Sequence, residues 1–222
     1  MLFFKPEKIR GDFPILKNGI TYLDNACVTL RPTKVIEAMN RYYTDYSACE
    51  GRSAHRLSAQ VGEEVRSARE SLRKFINAKD VSEIIFTRNA TEGINLIANS
   101  FKKGQTVVSS DKEHNSNLVP WLSRGIKRVA ISTDHGFDIE SYKKSLSSAD
   151  IVSVVWTSNL DGTSNPVKDI VKLAQAQDVP VLLDAAQAAP HQEIDVKSLG
   201  VDAVAFSAHK MMGPSGMGAL YL

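Results

Sequence analysis

A chain of 222 residues, 43% apolar and 23% charged, reads as an ordinary globular protein of one large domain or two small ones, able to bury a substantial core. Its net charge of +2 gives no global argument for a nucleic acid or other polyanionic partner. The two cysteines, Cys27 and Cys49, match neither a zinc motif nor a redox pair nor a disulfide framework, so the expected setting is reducing and cytoplasmic. No apolar stretch approaches the ~20 residues of a membrane span, and the opening residues do not read as a signal peptide. The five histidines, 55, 114, 135, 191 and 209, show no metal-ligand spacing.

Along the chain, residues 1–32 are expected to be irregular, with turn signals at Gly11, Pro14, Asn18-Gly19 and Pro32. Apolar positions predict a helix over Thr33 to Tyr46 and a clearer one over Ala59 to Asn77, separated by a polar stretch. From there short apolar runs alternate with helical segments. The runs are Glu83–Thr87, Thr106–Ser109, Arg128–Ser132, Asp150–Thr157, Val179–Asp184, Ala203–Ser207 and Met217–Leu222. Most are continuous, as in strands covered on both faces. The intervening helices are expected at Thr91–Phe101, Ser116–Arg124, Asp138–Leu146 and Asn165–Gln177, the last with Asn165 as N-cap and Pro166 at its first position. This alternation predicts an α/β fold with a mainly parallel sheet of seven strands between two helical layers. Too little chain separates the last two runs for a helix, so the final strand is expected to be antiparallel. Residues 1–58 are read as a segment packing at the active site and 59–222 as the main domain.

Ligands of open α/β sheets sit at the carboxyl ends of the strands, and the suggestive side chains fall in those loops. Asp184 closes one apolar run. The next ends in Ser207-Ala208-His209-Lys210, followed by Gly213-Pro214-Ser215-Gly216-Met217-Gly218. An acid ending one buried strand and a lysine ending the next suits pyridoxal phosphate, whose aldehyde forms a Schiff base with lysine and whose ring nitrogen pairs with the acid. Asn89-Ala90-Thr91 joins a strand to a helix and offers free N–H groups and a hydroxyl to a phosphate. His114 offers a ring for stacking and proton transfer. Gln187, Asn159 and Thr163 offer polar contacts to the ring's phenolic side. Taken singly, each residue has a plainer reading: Asp184, Thr91 and His114 as helix caps, Gln187 as a loop amide, Lys210 as a solvated surface lysine. Arg52 and His55 lie in an early polar segment and reach the site only through tertiary folding.

Assembled, these strings resemble class V pyridoxal-phosphate enzymes, and most of all the SufS-type cysteine desulfurases and selenocysteine lyases. The similarity runs from Tyr22-Leu23-Asp24-Asn25-Ala26 through Arg52-Ser53-Ala54-His55, Ala90-Thr91-Glu92, Ser158-Asn159 and Asp184-Ala185-Ala186-Gln187 to Ser207-Ala208-His209-Lys210. The string His114-Asn115-Ser116-Asn117-Leu118-Val119-Pro120-Trp121 points to the desulfurase group in particular. The resemblance implies the aspartate-aminotransferase-like (type I) fold and a homodimer with the site at the subunit boundary. It implies that Lys210 carries the cofactor and, with His114, takes part in catalysis. Ala90, Thr91, Ser207 and His209 would bind phosphate, Asp184 the ring nitrogen, Gln187 and Asn159 the oxygen side, and Asn25, Ala26 and His55 the substrate. The implied reaction converts L-cysteine to alanine and transfers its sulfur to an enzyme cysteine and then to an acceptor protein, as in iron–sulfur cluster assembly. Other class V activities (aminotransferase, epimerase, kynureninase-like) share the Lys210 and Asp184 pattern, and a non-catalytic remnant is a further alternative. The family's nucleophilic cysteine and its small carboxyl-terminal domain are expected after the lysine and are missing from these 222 residues. Cys27 stands where the family usually has alanine.

Overall fold

The computed structural model of the chain describes residues 6–222. The segment expected to be irregular contains a short helix, α1 (Pro6–Arg10), and a 3-10 turn at Pro14–Asn18 closed by Gly19 at φ 75°. Helices α2 (Thr33–Asp45) and α3 (Arg56–Phe75) follow. Then come β1 (Ile84–Thr87), α4 (Ala90–Ala98), β2 (Thr106–Ser110), α5 (Asn115–Ser123), β3 (Lys127–Ile131), α6 (Ile139–Leu146) and β4 (Ile151–Val155). The chain continues through α7 (Val167–Gln175), β5 (Val181–Asp184), α8 (Val196–Leu199), β6 (Ala203–Ser207) and β7 (Gly218–Tyr221).

The seven strands form one sheet in the order β1-β7-β6-β5-β4-β2-β3. Pairs β6/β5, β5/β4, β4/β2 and β2/β3 are parallel, and β7 runs antiparallel to both neighbours. Every residue of β4, β5 and β6 is buried, which explains their unbroken apolar runs. Successive side chains of a strand point to opposite faces, and here they enter two different cores. Val107, Leu182, Ala203 and Ala205 pack with Ile94 of α4 and Trp121 of α5 on one face. Val108, Leu183, Val204 and Phe206 pack with Tyr142 of α6 and Ile170 of α7 on the other. Each fully buried large side chain contributes roughly 1.5–3 kcal/mol relative to exposure. Tyr142, wholly buried, satisfies its hydroxyl by donating to the Ile170 carbonyl at 2.9 Å, so α6 and α7 are bonded as well as packed.

Of the helix starts that differ from expectation, two do so for clear local reasons. Helix α7 begins at Val167 with Pro166 in the cap position, because the Asn165 side chain donates instead to the Val155 carbonyl at 2.7 Å. Helix α3 begins earlier, at Arg56, because the His55 ring caps it by accepting from the Ser58 N–H. The four-residue α8, capped by Asp195, is too short for periodicity to register.

Strand β7 also fixes the start of α4. A Cβ on Gly218 would lie 2.6 Å from Asn89 Cα and 2.6 Å from the Phe206 carbonyl oxygen, both backbone atoms that cannot swing away. Gly218→Ala is therefore expected to lower the unfolding free energy by about 2 kcal/mol, read as a lower urea midpoint. An unchanged midpoint would mean that β7 does not seat against Asn89.

Candidate active site

Loops from the carboxyl ends of β1, β2, β4, β5 and β6 converge on one cavity of about 470 Å³. Its walls bring together all nine residues expected around the cofactor: Ala90, Thr91, His114, Asn159, Asp184, Gln187, Ser207, His209 and Lys210. The sheet order explains the convergence. From β2 the chain moves outward to β3, and from β4 it returns through β5 to β6, so the winding reverses at the β2/β4 crevice.

Asp184 and Lys210 come from adjacent parallel strands. Asp184 is the last residue of β5 and is 2% exposed. Its Oδ1 accepts from the Ala186 N–H at 3.0 Å. Burial pushes its carboxyl above the ordinary range, against the pull of that N–H and of the Lys210 charge. Lys210 lies three residues past the end of β6, closing a 3-10 turn over Ala208–Lys210. The neighbouring His209 ring is pushed below its ordinary value by burial, then by the Lys210 and Arg31 charges.

The start of α4 forms another wall. Asn89 caps the helix by accepting from the Glu92 N–H at 2.9 Å, and the Ala90 N–H donates to Ser207 Oγ at 2.9 Å. Of the first-turn donors this leaves the Thr91 N–H, beside its own hydroxyl, at the cavity. Ser207, accepting from Ala90, keeps its hydroxyl proton free to donate. His114 is both a helix cap and a cavity wall. Its Nδ1 accepts from the Ser116 N–H at 3.1 Å as the N-cap of α5, which leaves Nε2 as the ring nitrogen not used by the cap.

The amino-terminal segment closes the front. Gln187 donates from Nε2 to the Ala26 carbonyl at 2.7 Å, which ties this cavity-wall amide to the amino-terminal segment. Ala26 lines the cavity, together with Cys27. Asn25 instead lines a neighbouring space of about 420 Å³ that Lys210 also borders. His55 reaches neither cavity, because its ring is used as the exposed cap of α3. Arg52 is likewise exposed and outside both. Among the described residues no helix is long and apolar enough to cross a membrane.

The family model described as aminotransferase class-V matches residues 21–222. The chain belongs to the aminotransferase class-V family. A probable cysteine desulfurase of Synechocystis sp. is 40% identical over 230 residues, covering 96% of this chain and 55% of the relative. The apo structure of a cysteine desulfurase from Thermococcus onnurineus NA1 superposes with a TM-score of 0.91 at 37% identity, covering 100% of this chain and 58% of that one. A structure described as SspA in complex with cysteine gives a TM-score of 0.83 at 28% identity, covering 91% and 61%. The chain thus spans little more than half the length of these relatives.

Within this class-V site one group escaped the sequence reading. Glu113, beside His114, turns its carboxylate inward although the residue as a whole is only partly buried. It accepts from the Ser110 N–H (3.1 Å) and hydroxyl (2.5 Å), the Asn117 amide (2.7 Å) and the Val155 N–H (2.9 Å). Asn117 in turn accepts from Trp121 Nε1 and Ser153 Oγ. Glu113 so joins the ends of β2 and β4 at the crevice from which His114 emerges. A glutamate in a polar loop carries no sequence signal for inward burial. Ser116 and Cys27, also in the wall, were visible in the motifs but without an assigned place.

Burial pushes the Glu113 carboxyl up to about 7, against those donors. An acid whose folded value is raised binds its proton more tightly in the folded state. Its contribution is fully present below the unfolded value and declines as pH rises through about 7. Relative to Glu113→Gln, the native chain is expected to lose on the order of 3 kcal/mol of stability across that window, measured by urea unfolding at a series of pH values. Parallel curves would mean that the donors keep the carboxylate ionised throughout.

Proposed function

We propose that this chain is the cofactor-binding part of a pyridoxal-phosphate enzyme of cysteine desulfurase type acting on L-cysteine. The observation that carries the reading is the pairing of a buried carboxylate, Asp184, with Lys210 across one cavity whose far wall is the start of α4. That donor set fits the cofactor: an acid shielded from water for a ring nitrogen, an amine for an aldehyde, and the Thr91 N–H and hydroxyl with Ser207 for a phosphate. Pyridoxal phosphate, when bound there, supplies an aldehyde carbon and a ring that takes up electrons.

The chain's own residues would take the following parts. Asp184 holds a proton against its carboxylate. Lys210 Nζ would hold the aldehyde and would serve as the base for the substrate's α-proton. His114, its ring fixed through Nδ1 by Ser116, presents Nε2 as a donor or acceptor. Thr91, Ser207 and His209 anchor the phosphate end, with Ala90 N–H orienting Ser207. Gln187 and Asn159 would border the ring's oxygen side and Ala26 the substrate side, all three in the wall of the same cavity. Overall the C–S bond of L-cysteine breaks, its β-carbon gains a proton to give alanine, and the sulfur joins an enzyme thiolate as a persulfide. L-cysteine is supported by the names of the relatives and by the cysteine complex among the structural neighbours. The same reading extends to a cytoplasmic homodimer that passes sulfur to an acceptor protein for iron–sulfur cluster assembly, supported by the sequence resemblance.

Borohydride treatment of the chain with pyridoxal phosphate, followed by peptide mass mapping, tests the reading. One stable label on Lys210, absent from Lys210→Ala at equal folded content, is expected. Label scattered over surface lysines, or none in a folded chain, would contradict it.

A further inference from the structure

We propose that Thr29 is a positioning residue that sets the Lys210 turn, an inference resting on the reading of Lys210 as the cofactor lysine. The turn after β6 is tight and strained. Met212 has φ 63°, a left-handed conformation that a methionine adopts only when its surroundings impose it. The Ala208 carbonyl accepts from both the Met211 N–H (2.9 Å) and the Gly213 N–H (2.8 Å), folding the chain back within six residues. A Cβ on Gly213 would lie 2.7 Å from Ala208 Cβ, so the fold-back also requires glycine there.

Thr29, distant in sequence, holds this turn from outside. Its backbone N–H donates to the His209 carbonyl at 2.9 Å, and its hydroxyl donates to the same oxygen at 2.9 Å. The hydroxyl oxygen also accepts from the Met212 N–H at 2.8 Å. One hydroxyl thus bonds the residue before Lys210 and the strained residue two places after it. Those two peptide groups bracket the lysine and fix where its Cα sits and which way its side chain leaves. Thr29 does not line the cavity beside Asp184; it borders the neighbouring space together with Lys210 and Met212, and its hydroxyl bonds only backbone groups of the turn, so it acts through the turn. Its segment is itself anchored: Arg31 bonds the Thr29 carbonyl and, at 3.1 Å, Ser215 Oγ, and the Tyr22 hydroxyl donates to the Val28 carbonyl at 2.7 Å.

The substitution Thr29→Val keeps the branched shape and the backbone N–H while removing both hydroxyl bonds. Two readouts follow. The rate at which pyridoxal phosphate becomes borohydride-trapped on Lys210 is expected to fall on the order of tenfold. Hydrogen exchange of the Met212 amide, measured without cofactor, is expected to quicken to a similar degree. Thr29→Ser, which restores the hydroxyl, is expected to recover both rates, and the melting temperatures should stay together, which a merely structural role would not produce. Thr29→Ala serves as the second variant should valine unfold the chain, with the same expectation. An unchanged rate in either readout overturns the proposal. If the wild-type chain takes no label at Lys210, the cofactor reading fails, and Met212 exchange alone decides whether Thr29 holds the turn.

Discussion

A carboxylate shut away from water at the end of a wholly buried strand is expensive unless a cation faces it. Asp184 is such a group, with one N–H from its own loop and the charge of Lys210 in the same cavity wall. The rest of the site is arranged around that requirement. Parallel β5 and β6 bring the acid and the lysine turn to the same edge of the sheet. The antiparallel return through β7 brings Gly218 against Asn89, which sets the start of α4 at the third wall. The amino-terminal segment is tied down at Ala26 by Gln187 and at Thr29 by the lysine turn.

Several of these features work against folding. The Asp184 carboxyl is desolvated, Glu113 is held inward, and Met212 sits in a left-handed conformation. The two cores on either face of the sheet offset these costs with buried Leu182, Leu183, Ile94, Ile170 and Trp121. Stability resides in the apolar middle of the sheet, while strain and buried charge gather at its carboxyl edge, as expected where a site must be pre-organised.

The sheet was readable because its chemistry is written in consecutive residues. Continuous apolar runs announced strands buried on both faces, and the short interval before Met217 announced the antiparallel return. The loops that carry Asp184, His114 and Lys210 followed from the strand ends. What stayed hidden depends on contacts between distant residues. His55 looked suited to the cavity, yet its ring is used by the Ser58 N–H one turn along α3. Glu113 read as an ordinary loop acid, and only the approach of β4 supplies the Val155 N–H that draws it inward. Thr29 lies far from His209 and Met212 in sequence, and no local pattern announces a hydroxyl shared between them.

The central claim is that Asp184 keeps a bound pyridine nitrogen protonated opposite Lys210. Nitrogen NMR of isotope-labelled pyridoxal phosphate, bound to the chain at mildly alkaline pH, reads that proton directly. The account predicts a protonated ring nitrogen in the native chain and its loss in Asp184→Ala. A deprotonated ring in the native chain, or a proton that survives the substitution, would contradict it.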